Sequence, residues 1–275
     1  MIGWCFWLGT PSMMAGQVQP LDPWKKVPAT PTTCFADEAF DAKVQAASQE
    51  MIADKDRQQA LNARILERFN AMNPMERMNR MQAWMMKNPQ AAAKMIEASA
   101  NLGTEAGTAM PQLAATGERL EKERDGHKKA LDAAIDDALK PLRAKEAALV
   151  KTKTKLVGEA QVPVFPTDAG YAEYVAVIGE ENAAIEKACV PFFGAKGKFP
   201  TWLEQFRTEV ADKEAAFSAA SDAATMQQVA IIETPDGGFQ SLGVFESARH
   251  YLRQLDTISR YRHRKLTPTI PLEKK

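Results

Sequence analysis

A chain of 275 residues, 45% hydrophobic and 25% charged, is long enough to bury a sizeable core as one large domain or two ordinary ones. Lys and Arg number 35 and Asp and Glu number 35, and this zero balance argues against wholesale nucleic-acid binding. No apolar run approaches the roughly 18–20 residues that span a bilayer, so no transmembrane segment is expected.

At the N-terminus Ile2–Leu8 is apolar, and Met14-Ala15-Gly16 stands before Gln17 like a small-residue cleavage site. This predicts a signal peptide over residues 1–16 and a periplasmic or secreted location. No Lys or Arg precedes the apolar run, which leaves three alternatives: a start codon assigned too far downstream, a start at Met13 or Met14, or Trp4, Phe6 and Trp7 packing on the body of a cytoplasmic protein. Without residues 1–16 two cysteines remain, Cys34 and Cys189, an even count suited to one disulfide in an oxidising compartment. The alternative is two separate buried thiols. Residues 17–35 form a proline-rich leader with Pro20, Pro23, Pro28 and Pro31, extended over the body or mobile.

A long-helix and helical-hairpin region is expected over 36–158. Phe40, Val44, Ala47, Met51, Leu61, Ile65, Phe69 and Met72 recur at steps of three and four and predict a helix of about 35 residues. Asp54 and Gln58 fall where apolar residues are due. Asn73-Pro74-Met75-Glu76 then reads as an N-cap, a first helical position and a capping box. Asn88-Pro89 repeats the device, giving short helices over 74–87 and 89–102, and Gly103, Gly107 and Pro111 mark 103–112 as a linker.

Leu113–Val157 is the stretch that dominates the pattern. Leu113, Leu120 and His127 recur every seven residues, then Ile135, Leu142, Leu149 and Leu156 one residue out of phase. A rod of about 45 residues, roughly 70 Å long, follows, kinked at Pro141 and needing partner helices along its one apolar seam. The companion seam of Leu131, Ala138, Lys145 and Thr152 turns polar, so the coiled-coil pattern is partial.

The remainder reads as a C-terminal helical region over 159–265. QVPVFPTD is a loop, because its prolines disfavour both helix and central strand. Helices follow over 169–188 and from the capping box of Thr201 and Glu204 to about Ala224. A β-hairpin is predicted at 229–245 around Pro235-Asp236-Gly237-Gly238. A last amphipathic helix over 247–262 ends in RYRHRK, and 266–275 is expected to be a disordered tail. The fold class is all-α: an elongated helical bundle with two long coiled-coil-like helices, several shorter ones and one small C-terminal hairpin.

Enzyme motifs are missing. His127, His250 and His263 are far apart, there is no G-x-S-x-G, and Gly197-Lys198 lacks the remaining P-loop residues. No catalytic residues and no cofactor are assigned, and His127 reads as a polar register residue on the seam. The sharpest bias is methionine: Met72, Met75, Met78, Met81, Met85, Met86 and Met95 crowd into one span, mostly on one helical face. Three readings compete, in this order: core packing, with Met75, Met78 and Met85 buried; an adaptable partner surface; and a Cu(I) site built from Met75, Met78, Met81 and Met85. The Met-rich helical composition resembles that of small periplasmic stress chaperones, although no motif carries the likeness.

Met78, Met81, Arg260, Arg262 and Arg264 are candidates for a partner surface, the arginines through weak contact of the basic last helix with an anionic surface. The expected function is that of an exported, non-catalytic helical interaction or structural protein, with a protein partner or self-association through helices. A chaperone-like or copper-binding protein and an unrecognised hydrolase are the alternatives.

Overall fold

A computed structural model describes residues 23–275 except 88, 158–159, 164–167, 219–241, 265, 271 and 273–275. The expected signal segment, most of the expected hairpin and the extreme C-terminus lie outside these residues. The chain begins with a 3-10 turn over Pro23–Lys26 and then forms α1 (Glu38–Ala71), α2 (Pro74–Lys87) and α3 (Pro89–Lys153). A two-stranded ribbon of β1 (Thr154–Val157) and β2 (Ala160–Pro163) leads to α4 (Asp168–Phe193) and α5 (Lys198–Phe206). Helix α5 runs into a π-helical turn at Arg207–Ala211 and a helical segment over 212–218 (α6), and α7 spans Leu242–Tyr261.

Local chemistry accounts for several boundaries. Asp37 Oδ1 accepts the Phe40 amide at 3.0 Å and caps α1. Asn73 Oδ1 accepts the Glu76 amide at 2.9 Å and starts α2, the cap its sequence announces. Helix α5 starts at Lys198, three residues before Thr201, with Gly197 at the N-cap and no side-chain cap. A Cβ on Gly197 would lie 2.6 Å from the Phe192 backbone carbonyl, so only glycine lets the chain double back between α4 and α5. Gly243 is equally constrained, since a Cβ there would sit 2.0 Å from Ser218 Cβ where α6 and α7 cross.

The expected linker at 103–112 is helical. Helix α3 runs unbroken for 65 residues through Gly103, Gly107, Pro111 and Pro141. Glycine costs a helix interior only about 1 kcal/mol, and each proline removes one donor from a ladder long enough to continue on both sides. At its far end the helix stops at Lys153, not Val157, because the next residues pair as Thr154↔Pro163 through Val157↔Ala160. Pro163 is tolerated at the end of a ribbon in which both strands are edges. Leu242–Phe245, expected in the second hairpin strand, are the first turn of α7.

The heptad reading of α3 gives way to an eleven-residue spacing. Leu120 and Leu131, Ile135 and Glu146, and Leu139 and Val150 are buried in pairs eleven apart, whereas Leu142 and Leu149 are only half-buried. An eleven-residue repeat corresponds to about 3.67 residues per turn, close to a straight helix. The main core gathers Leu120, Leu131, Ile135 and Leu139 of α3 with Ile185, Cys189, Phe192 and Phe193 of α4, Phe199 to Phe206 of α5, and Tyr251 to Ile258 of α7. Trp202 Nε1 donates to Leu120 O at 2.7 Å, a buried bond that fixes α5 across α3.

The described segments before α1 and after α7 are tied to this core. Asp54 is fully buried on α1 and pairs with Lys26 of the leader and with Arg57, which accounts for a carboxylate at an apolar position. Trp24 meets Tyr251 edge-on at 5.9 Å. Arg262 is buried just past α7. Its Nη2 donates to Asp41 Oδ1 at 2.8 Å, its Nη1 to Thr33 Oγ1 at 2.9 Å, and its guanidinium lies over the Phe40 ring. The tail, expected to be disordered, is docked as far as Ile270, which is buried. The Thr269 amide donates to Glu146 Oε1 at 3.0 Å and the Ile270 amide to Tyr174 Oη at 2.8 Å.

Because Arg262 joins the end of α7 to the start of α1, its removal strands Asp41 beside an empty buried site. Arg262→Ala should destabilise by about 3–5 kcal/mol in urea unfolding. Arg262→Lys should recover only part of this, since one ammonium cannot reproduce the forked contacts. A loss within experimental error for Arg262→Ala would show that the clasp is not formed.

Candidate functional site

The methionine face occupies a part of the chain that gives nothing to the core. Among the described residues none between Gln58 and Leu120 is buried, and six of the ten exposed large apolar side chains lie there: Leu66, Met75, Met78, Met86, Ile96 and Met110. Met75 is 62% exposed, Met78 44% and Met86 79%, while Met85 is half-buried. The expected burial of Met75 and Met78 is therefore corrected. Helix α2 packs chiefly on α3. Met81, Trp84 and Met95 lie in these helices, but their side chains fall outside the described set.

Charge on α2 is unbalanced: the helix carries Arg77, Arg80 and Lys87 against the single carboxylate of Glu76. Arg80 Nη2 reaches Glu76 Oε1 at 3.0 Å, and Arg77 Nε donates to Met72 O at 3.1 Å. The exposed methionines share one side of α2, and at 100° per residue the three cations fall on the opposite side, roughly 130–155° away. Flexible thioether surfaces re-pack around varied apolar partners.

The basic C-terminal arginines behave differently from one another. Arg262 is enclosed by its clasp. Arg264 bridges Asp132 at 2.9 Å and Asp136 at 3.1 Å on α3. Arg260 points outward, paired with Asp256 at 2.5 Å. It lines a groove of ≈ 650 Å³ between α1 and α7, together with Arg249, Arg253, Glu38 and Asp41 over a floor of Val44 and Leu252. The groove carries charges of both signs and was not legible in the sequence, since it depends on α1 and α7 meeting across the whole chain.

The histidines are dispersed. His127 is half-buried edge-on to Phe199 at 6.1 Å, and burial lowers its pKa despite Glu123 nearby. His263 pairs with Asp41. His250 Nδ1 lies 3.2 Å from Glu214 Oε2 and its Nε2 3.9 Å from Glu121 Oε1, so both ring nitrogens face carboxylates. A hydrolytic triad needs a hydroxyl at the second nitrogen. No group of three or more His, Cys, Asp or Glu suited to a metal occurs among the described residues. Cys34 is half-buried, Cys189 is buried, and both are free thiols.

One buried polar cluster was missed in the sequence. Tyr174 Oη donates to Glu146 Oε1 at 2.9 Å, and burial pushes the Tyr174 phenol up to about 12. Glu181, one helical turn below the level of Ile178 on α4, is also buried, and its Oε1 has no hydrogen-bond partner. Comparison with protein-family models, with curated proteins and with solved structures finds no match for this chain. Among the described residues, no helix is long and apolar enough to cross a membrane.

Burial raises the Glu181 carboxyl pKa, Glu146 adds to the shift and Arg143 opposes it. The fold thus favours protonated Glu181. Its contribution is fully present below the unfolded value, about 4.3, and is lost as pH rises through the higher folded value. Glu181→Gln should flatten this part of the stability–pH profile and raise the urea midpoint at pH 7. A Gln variant less stable than the parent at pH 7 would show that the ionised carboxylate is favourably held.

Proposed function

We propose that this is an exported, non-catalytic helical interaction protein that holds an apolar helical segment of a partner on the methionine face of α2. The observation that carries the reading is the exposure of Met75, Met78 and Met86 on a span with no described residue in the core. Exposed apolar side chains gathered on one side of a helix mark interaction sites. The core is built by α1, α3, α4, α5 and α7, and the exposed methionines of α2 lie outside it. Export rests on the apolar Ile2–Leu8 run and the small residues before Gln17.

The test is a triple change of Met75, Met78 and Met86 to Ser. Urea stability should move by no more than about 0.5 kcal/mol per site, as expected for surface positions. Binding of a labelled amphipathic peptide with a leucine face, followed by fluorescence anisotropy, should weaken by about tenfold or more. Losses of about 2–5 kcal/mol per site would place these residues in a core and end the proposal. A Cu(I)-dependent rise in melting temperature that disappears in Met78→Ala would favour the soft-metal reading instead.

A further inference from the structure

We infer that the pocket lined by Glu146, Val150, Tyr174 and Ile178 is a docking site for an extended, β-branched segment of a partner protein. The chain's own tail occupies it in cis. The pocket stands apart from the main core. Val150 of α3 and Tyr174 and Ile178 of α4 form a buried cluster of their own, and its fourth member is Ile270 of the tail, which is 1% exposed. The tail reaches it from the end of α7 past Arg264, which is held by Asp132 and Asp136. Leu266 packs on both the main core and this cluster. The pocket is a different surface from the methionine face of α2, and this inference does not rest on the helical-partner reading.

What the pocket reads is main chain and one apolar side chain. Glu146 Oε1 accepts the Thr269 amide at 3.0 Å, and Tyr174 Oη accepts the Ile270 amide at 2.8 Å. The Ile270 carbonyl oxygen lies 3.3 Å from the same phenol. Tyr174 in turn donates to Glu146 at 2.9 Å, so the two acceptors hold each other in place. Extended peptides are recognised in this way: main-chain bonds give affinity and a side-chain socket gives selectivity. Any segment with two consecutive free amides, the second on a β-branched residue, can make these contacts. Pro268 and Pro271 flank the pair in sequence and restrict the free segment, which lowers the cost of ordering it. Glu181, one helical turn from Ile178 on the same side of α4, is buried with its Oε1 unpartnered, so the tail as seated does not satisfy every polar group on this side. The short tether from α7 holds the tail at an effective concentration on the order of millimolar. It therefore competes with a partner segment without closing the site permanently.

The experiment compares the full-length parent with Ile270→Asp, which expels the tail from its apolar socket, and Thr269→Pro, which removes the amide that Glu146 accepts. The probe is a fluorescein-labelled peptide with the sequence of residues 266–272, LTPTIPL, followed by fluorescence anisotropy. Both variants should keep the parent's far-UV circular dichroism and bind the peptide saturably. The parent should bind it about tenfold or more weakly, because its own tail competes. A peptide with Asp in place of Ile, or with an N-methyl group on the Ile amide, should not bind. Tyr174→Phe in the Ile270→Asp chain should weaken binding by about tenfold. Equal binding by the parent and the variants would put the probe elsewhere and overturn the proposal, as would folded variants that bind no peptide. Dimers formed by the parent and lost in Ile270→Asp would make the occupant a second copy's tail and overturn the partner assignment. Loss of the fold in both variants, or an Ile270 amide in the parent that exchanges only through global unfolding, would make the tail a fixed part of the core and overturn the proposal as well.

Discussion

The structure depends on one constraint: only part of the longest helix has an apolar seam. Helix α3 extends for 65 residues, but its buried side chains run from Leu120 to Val150. A helix is held in a protein by what its apolar face covers, more than by intrinsic propensity. The seam draws α4 and α5 onto itself, α7 packs chiefly against α1, and the Trp202–Leu120 bond sets where α5 crosses. Among the described residues, none upstream of Leu120 on the same helix, in α2 or in α1 after Gln58 is buried. The exposed methionines are a consequence of where the seam begins.

The described segments before α1 and after α7 complete what the seam starts. The leader brings Lys26 to the buried Asp54, and Trp24 to Tyr251 of α7. Arg262 closes the circuit between α7 and the first turn of α1, where Asp37 and Asp41 face it. Beyond it, Glu146 and Tyr174 accept the backbone amides of Thr269 and Ile270, so a proline-containing segment with no helix of its own becomes ordered against α3 and α4. These are polar contacts in buried surroundings, where a satisfied network specifies one arrangement and a broken one is costly. The unpartnered Glu181 Oε1 is the exception within this region, and its burial raises the carboxyl pKa.

Much of the helical content was legible because caps and periodicity are local. The Asn73 cap, the limits of α2 and the length of α1 follow from residues within a turn of each other. The heptad in α3 misled because seven-residue and eleven-residue spacings coincide over two turns and separate only when the neighbours decide which flank is buried. Gly103, Gly107 and Pro111 read as a linker because each disfavours helix locally, yet helix continues through them. The burial expected for Met75 and Met78 failed for a related reason: an amphipathic pattern states that a face is apolar, not that something covers it. Asp54, Glu146 and Arg262 are ordinary surface residue types whose burial is set by partners far along the chain. Of the candidate site, the methionine face was legible as a face. The groove between α1 and α7, and the divergence of Arg260, Arg262 and Arg264, were not.

The central claim is that Met75, Met78 and Met86 of α2 lie outside the core that α1, α3, α4, α5 and α7 build. Native-state amide hydrogen exchange tests it most directly, because protection reports the free energy of opening helix by helix. Amides of α4, α5, α7 and residues 120–150 of α3 should exchange only through global unfolding, with protection sensitive to denaturant. Amides of α2 should exchange through local openings of much lower free energy that denaturant hardly alters. Protection of α2 equal to that of α5 and α7 would contradict the account, since it would place the methionine face inside the cooperative core.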